Sequence, residues 1–280
     1  MECNSIKNNL TRDDIISDII LSMGADIDAS NVYVIVEGDT DIRFINQYLT
    51  DNVLIYESYD GKTGVEYIAG VHFSKNDRVI GIRDRDYQLC SSTKKIFFYD
   101  YNCMEMMLIA NENVFYKLYA EYYSGNTKYK QLKRQILMQL MLLSIVRKNN
   151  EREMWGITLK GLSIASAWDD EKQELNEEII INKINSMNNN FITKDRLCIL
   201  KRELSSDWGE DDFYFYTQGH DFFKLFTIIC NRPGRRGVKP DEVESSARCA
   251  FRMEDMIKTD MYREIVEYGK KINLTIMKNV

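Results

Sequence analysis

The sequence has little proline: only two occur among 280 residues, and aromatic residues make up 11% of the chain. Proline interrupts a helix because it removes a backbone donor and clashes with the preceding turn. A chain so poor in proline is therefore expected to be rich in helix, with few irregular connections. It also lacks internal repeats and low-complexity segments, and its 44% hydrophobic content is ordinary for a globular protein. Its length suits one large domain or two small ones.

CxxC motifs are also missing, although the chain has six cysteines, Cys3, Cys90, Cys103, Cys198, Cys230 and Cys249. A chain of this length does not need disulfides to fold, so scattered cysteines indicate reduced thiols. No apolar segment follows a basic start, which excludes an ordinary secretory signal. The longest apolar run, residues 136–146, is too short to cross a bilayer and is interrupted by Gln139 and Ser144. We therefore expect a cytoplasmic protein with no membrane segment.

A positive net charge is absent as well, since 37 basic residues are outnumbered by 43 acidic ones. A net charge of -6 gives no global attraction to a polyanion, so nucleic-acid binding would depend on local basic patches or bound cations. Residues 230–240 contain no acid, and arginine side chains suit phosphates. The predicted nucleic-acid contacts are therefore Arg232, Arg235, Arg236 and Lys239. A second acid-free basic stretch, residues 122–150, is explained about equally well by a solvated helix face.

Strand and helix patterns alternate in the first part of the chain. Thr11 followed by Asp14 predicts the start of a helix that ends near Gly24. Apolar runs predict strands at residues 32–36, 53–56, 78–82 and 95–99, with helical patterns at residues 40–49 and 62–72. This alternation predicts an α/β fold with a Rossmann-like parallel sheet whose strands all end at one edge.

From about residue 111 onward, the apolar spacing is almost entirely helical. It predicts helices at residues 112–123, 130–146, 174–187, 192–204, 220–230 and 259–268. Residues 213–216 could form a short strand or begin a helix. We therefore predict two domains, an α/β domain over residues 1–110 and a mostly helical domain over residues 111–280.

Two acidic clusters follow strands of the predicted sheet. Glu37 comes directly after the first strand, and Asp84 and Asp86 come after the third. Functional groups collect at the carboxyl ends of parallel strands, and alternation along an extended segment would point Asp84 and Asp86 toward Glu37. Three carboxylates in one place repel unless a divalent cation lies between them, and Mg²⁺ prefers oxygen ligands. The sequence thus predicts a magnesium site suited to phosphodiester chemistry.

Plainer interpretations exist for the individual residues. Glu37 alone could be a charge at a helix start, and the segment 84–86 alone could be a solvated turn. Lys62 could be a surface lysine that follows a glycine turn. For His220, capping or packing is favoured over proton transfer. The tyrosines of residues 116–123 are expected to pack in a core rather than stack on bases.

The two acidic clusters resemble the TOPRIM domain of topoisomerases, primases and OLD-type nucleases. A hydrophobic strand ends in Glu37-Gly38-x-x-Asp41, and a later one ends in Asp84-x-Asp86. The resemblance covers roughly residues 30–110. Residues 99–108 and 218–221 are further similar to a TOPRIM family that accompanies ABC-type ATPases and includes the effector nuclease of the PARIS anti-phage system. Residues 101–103, Tyr-Asn-Cys, are less polar than in relatives.

This resemblance implies a nuclease that uses Mg²⁺, or alternatively Mn²⁺. It makes Glu37 a metal ligand or general base and Asp84 and Asp86 the principal ligands. Asp41 and Glu105 would be further ligands, and Lys62 would pair with the scissile phosphate.

The resemblance also implies a toxic effector that an ABC-type ATPase holds inactive and that cleaves host tRNA after its release. A homodimer is compatible with it. The same metal site would serve a DNA endonuclease or nickase of OLD type. A different class of function is a non-catalytic module that binds the ATPase, in which the acidic residues only cap helices.

Overall fold

The computed structural model describes residues 10–91, 93–231 and 237–279. Its contacts divide the chain into two compact units. The first unit comprises Met1–Asp100 together with Arg252–Val280, and the second comprises Tyr101–Phe251.

A four-stranded parallel sheet forms the centre of the first unit. Its strands are β1 (Val32–Val36), β2 (Val53–Glu57), β3 (Val79–Arg83) and β4 (Ile96–Phe98), in the order β2-β1-β3-β4. Every residue of β1 and of β3 is buried, as expected for central strands covered on both faces. The predicted α/β fold with a parallel sheet is confirmed.

The helices of the first unit are α1 (Arg12–Ala25), α2 (Asp39–Ile45), α3 (Gly61–Val65), α12 (Met253–Met256) and α13 (Asp260–Ile272). A 3₁₀ turn, Asn46–Tyr48, follows α2, and α3 continues as a π-helix over Glu66–His72. The predicted capping box of α1 is present, since the Asp14 carboxylate accepts the Thr11 amide at 2.7 Å.

The last part of the chain returns to the first unit. The ring centroids of Tyr268 on α13 and Phe97 on β4 are 5.5 Å apart. The Asp100 carboxylate accepts a hydrogen bond from the backbone amide of Asp260 at 3.0 Å. This division differs from the sequence-based boundary at residue 110, which left the last helix in the helical part. Apolar spacing identifies α13 as a helix, but it carries no information about the surface against which that helix packs.

The second unit is mainly helical. Its helices are α4 (Met104–Ala110), α5 (Glu112–Tyr122), α6 (Tyr129–Arg152), α7 (Glu177–Met187), α8 (Lys194–Leu204), α9 (Glu210–Tyr216), α10 (Gly219–Cys230) and α11 (Pro240–Ala250). A 3₁₀ turn, Ala165–Ala167, precedes a two-stranded antiparallel ribbon of β5 (Trp168–Asp169) and β6 (Glu174–Leu175). Residues 213–216 are helical, and α11 is a helix that the apolar spacing did not predict.

Within the described residues, no helix is both long enough and apolar enough to span a membrane. The five cysteines in the described part of the chain are free thiols, as expected. The sixth, Cys3, lies outside it.

Close packing in the second unit makes Gly219 difficult to replace. A Cβ atom built there would lie 2.2 Å from the Cβ of Glu105, whereas one built at Gly24 in α1 meets no atom within 4 Å. We expect Gly219→Ala to lower the free energy of unfolding by about 1–3 kcal/mol through overpacking. Gly24→Ala should raise it by about 0.5–1 kcal/mol because alanine favours helices. Denaturant unfolding of both variants tests this, and equal midpoints would contradict it.

Candidate metal centre

The neighbouring strands β1 and β3 place Glu37 and Asp84 together at the carboxyl edge of the sheet. Ile35 pairs with Gly81 in the parallel register, so the residues that follow the two strands leave the sheet side by side. A hydrogen bond joins them directly, because the Asp84 amide donates to Glu37 Oε1 at 2.9 Å. The side chain of Glu37 thereby bridges the ends of the two central strands.

The Glu37 carboxyl group has an unusual protonation equilibrium. Its pKa is raised to about 7, mainly by burial and in part by the carboxylates of Asp86 and Asp41, while the hydrogen bond from the Asp84 amide opposes the rise. A group with this pKa is partly protonated at neutral pH. The negative charge around Glu37 is the kind of environment that a bound cation would stabilise.

Asp86 is positioned differently from what the sequence pattern suggested. The strand ends at Arg83, and both Asp86 (φ 46°) and Tyr87 (φ 66°) adopt left-handed backbone conformations. The side-chain alternation of an extended strand therefore does not apply at Asp86. Its carboxylate lies 3.3 Å from the ammonium group of Lys62, near the start of α3.

The structure does not gather all the predicted ligands into one set. Among the described residues, the oxygens of Glu37, Asp84 and Asp86 do not form a group in which every pair lies within 4.8 Å. Oε1 of Glu37 accepts the Asp84 amide. Asp41 Oδ2 accepts the Gly38 amide at 3.1 Å and so stabilises the start of α2. Glu105 lies on α4 and is buried.

Arg83 was not identified from the sequence, yet it supports the segment that follows β3. Its side chain is only 1% exposed, and Nη1 donates to the carbonyl of Asp84 at 2.5 Å. Nη2 donates to Glu66 Oε1 at 2.7 Å and to Gln88 Oε1 at 2.6 Å. The only signal in the sequence is a charged residue at the end of an otherwise apolar strand.

Three of the four predicted nucleic-acid contacts, Arg232, Arg235 and Arg236, lie outside the described residues. Lys239 is exposed and precedes α11, and its amide interacts with Glu242 Oε2 at 3.5 Å.

The other basic stretch has internal partners, which a purely solvated helix face would lack. Lys133 is buried and contacts Glu112 at 2.5 Å, and Arg147 contacts the buried Asp221 at 2.6 Å. Lys148 pairs with Glu203. These three basic side chains of α6 therefore help to hold the second unit together.

The comparisons with known proteins add no family. No protein-family model matches the chain, and no curated protein matches it either.

The raised pKa of Glu37 makes the metal-free protein sensitive to pH. Below about pH 4.5 the carboxyl group is protonated in both the folded and the unfolded chain, so it does not affect stability. Between about 4.5 and 7 the unfolded chain loses this proton first, so the free energy of unfolding falls as pH rises. A shift of this size corresponds to about 3 kcal/mol.

We therefore expect Glu37→Gln to stabilise the metal-free protein at pH 8 by about 1–3 kcal/mol and to have little effect at pH 4.5. Glutamine keeps an oxygen that can accept the Asp84 amide. Denaturant unfolding in EDTA at both pH values is the measurement. The exposed Glu121→Gln is the control and should show no such difference between the two pH values. Equal stabilisation at both pH values would show that burial of the Glu37 charge is not its cause.

Proposed function

We propose that the chain is a divalent-metal-dependent nuclease of TOPRIM type. The observation that carries the proposal is the hydrogen bond between Glu37 and the Asp84 amide, which brings together the two acidic clusters at the ends of adjacent parallel strands. The carboxyl edge of a parallel sheet is where such folds bind their ligands. The resemblance of the Glu37-Gly38-x-x-Asp41 and Asp84-x-Asp86 segments to TOPRIM domains supports the same reaction class.

The residues at this edge fit Mg²⁺, with Mn²⁺ as an alternative. They offer carboxylate oxygens, and Mg²⁺ commonly retains several waters and needs only one or two protein carboxylates. Direct ligation by all of the predicted residues is therefore unnecessary. Glu37 and Asp84 would hold the ion, and Asp86 and Asp41 would add negative charge around it. A bound Mg²⁺ stabilises charge on the phosphate and promotes ionisation of water.

The chain itself contributes a cation and a proton acceptor. Lys62 lies beside the carboxylate of Asp86, where its ammonium group can pair with a phosphate of the substrate. Glu37, with a pKa of about 7, can exchange a proton near neutral pH when it does not act as a ligand. The side chain of Arg83 acts indirectly, by fixing the carbonyl of Asp84 and the side chain of Gln88.

The resemblance supports a narrower proposal about the biological role. According to this proposal, the chain is the toxic effector of a cytoplasmic anti-phage system. An ABC-type ATPase holds the effector inactive, and its substrate is host tRNA. A homodimer is part of the same proposal. The second candidate within the nuclease class is a DNA endonuclease or nickase, since a metal site of this kind contacts phosphates rather than base edges.

The test is cleavage by the purified full chain, separated from any ATPase partner. Total tRNA and supercoiled plasmid DNA are incubated with Mg²⁺ or Mn²⁺, and a reaction with EDTA is the control. We expect cleavage of tRNA that requires the metal. Cleavage of DNA alone would favour the endonuclease. Failure to cleave either substrate would contradict the nuclease proposal and favour the non-catalytic binding module.

A further inference from the structure

Three helices of the second unit bring Glu105, His220 and Glu244 together. Glu105 lies on α4, His220 on α10 and Glu244 on α11. One ligand atom of each residue lies within 4.8 Å of the other two, and His220 Nδ1 is 3.0 Å from Glu244 Oε1. Residues far apart in the sequence thus place one nitrogen and two carboxylate oxygens around a common point.

Glu105 is the member of this cluster that packing alone does not explain. It is only 7% exposed, and within the described part of the chain its carboxylate has no hydrogen bond and no ion pair. A buried carboxylate without a partner is costly, so such groups are normally paired or bound to a metal. One of its oxygens lies within 4.8 Å of the ligand atoms of His220 and Glu244, and its charge helps to raise the pKa of the His220 imidazole.

Gly219 makes this approach of Glu105 possible. A Cβ atom at position 219 would lie 3.0 Å from Glu105 Oε2 and 2.2 Å from its Cβ. A larger residue before His220 would therefore displace Glu105 from the cluster. The adjacent Gly219 and His220 thus supply the space and the nitrogen of the same site.

We propose that Glu105, His220 and Glu244 form a binding site for a divalent transition-metal ion of the Zn²⁺ type. One imidazole nitrogen with two carboxylates is a donor set that such ions accept, whereas Mg²⁺ prefers oxygen ligands alone. Two ligands that are each roughly 2.1 Å from a tetrahedral ion are about 3.4 Å apart. His220 Nδ1 and Glu244 Oε1 are hydrogen-bonded at 3.0 Å, so they need to separate by only a few tenths of an ångström to bind one ion.

The site is exposed on one side, which gives an ion a way in. The side chain of His220 is 66% exposed, while that of Glu244 is 10% exposed. Glu244 also raises the pKa of the His220 imidazole through their hydrogen bond. Three protein ligands leave positions open to water or to another ligand. All three residues of this site belong to the second unit.

The test uses the fact that the chain has only two histidines, His72 and His220. The full chain is titrated with Zn²⁺ in excess Mg²⁺ while the imidazole ¹H–¹⁵N resonances are recorded, and His72→Asn assigns the two sets of signals. We expect the His220 ring nitrogens to shift as one equivalent of Zn²⁺ binds. The His72 resonances should not move.

Two variants separate a metal site from an ordinary ion pair. Glu244→Gln keeps an oxygen near His220 but removes a charged ligand, and we expect it to weaken Zn²⁺ binding by at least about 10-fold. Asp241→Asn removes the same charge from an exposed position on the same helix and should leave the affinity unchanged. An unchanged His220 spectrum at saturating Zn²⁺, or equal weakening by both variants, would overturn the proposal.

Discussion

Glu37→Gln is expected to lower the rate of the proposed metal-dependent cleavage by at least about 10²-fold, since it removes the side chain that we propose as both metal ligand and proton acceptor. Glutamine has nearly the same shape and can still accept the Asp84 amide that Glu37 Oε1 accepts at 2.9 Å. The variant therefore changes the charge at the edge of the sheet while keeping the link between the two strand ends. The loss should appear in kcat/KM for cleavage of tRNA with saturating Mg²⁺.

Glu57→Gln is the matched control for this experiment. Glu57 ends β2, which pairs with β1, and its partner in the register is Val36. The control removes a glutamate charge at the neighbouring strand end, and we expect it to keep cleavage within a few-fold of the wild type. If Glu37→Gln cleaves as fast as the wild type, Glu37 has no role in the reaction. If both variants lose activity equally, negative charge at this edge matters more than the position of Glu37.

Arg83→Met is expected to produce the largest loss of stability, about 2–4 kcal/mol in the free energy of unfolding. Methionine fills much of the same space but leaves the Gln88 side chain and the Asp84 carbonyl without their donor. Glu66 also loses its partner, but it is 39% exposed, so water can replace part of that interaction. The substitution also removes the contact between the guanidinium group and the ring of Phe98, whose centroid is 4.6 Å from Arg83 Cζ.

Arg43→Met is the control for Arg83→Met. Arg43 forms an ion pair with Asp39 on the same helix, but its side chain is 71% exposed, and exposed pairs contribute about 0–1 kcal/mol. Urea unfolding monitored by circular dichroism compares the two variants. Arg83→Met should also reduce cleavage at urea concentrations below its unfolding midpoint, where the variant is still folded. The reason is that the segment carrying Asp84 and Asp86 loses its support. A variant as stable as Arg43→Met would show that Arg83 does not support this segment.

The sequence by itself determined the parallel sheet and the order of its strands along the chain. Runs such as residues 32–36 are apolar throughout and rich in β-branched residues, which favours a buried strand whatever the rest of the chain does. The same local patterns placed Glu37 and Asp84 directly after two strands. Parallel strands end at one edge of their sheet, so the proximity of these two residues followed from the fold class.

Only the tertiary structure decided which groups contact one another across long stretches of chain. The left-handed backbone at Asp86 turned its side chain toward Lys62, which strand periodicity could not indicate. The cluster of Glu105, His220 and Glu244 depends on the packing of three helices. One of them, α11, has so few apolar residues that apolar spacing did not predict the helix. Local sequence encodes secondary structure through backbone preferences and periodicity, whereas these contacts arise from which faces pack together, a property of the whole fold.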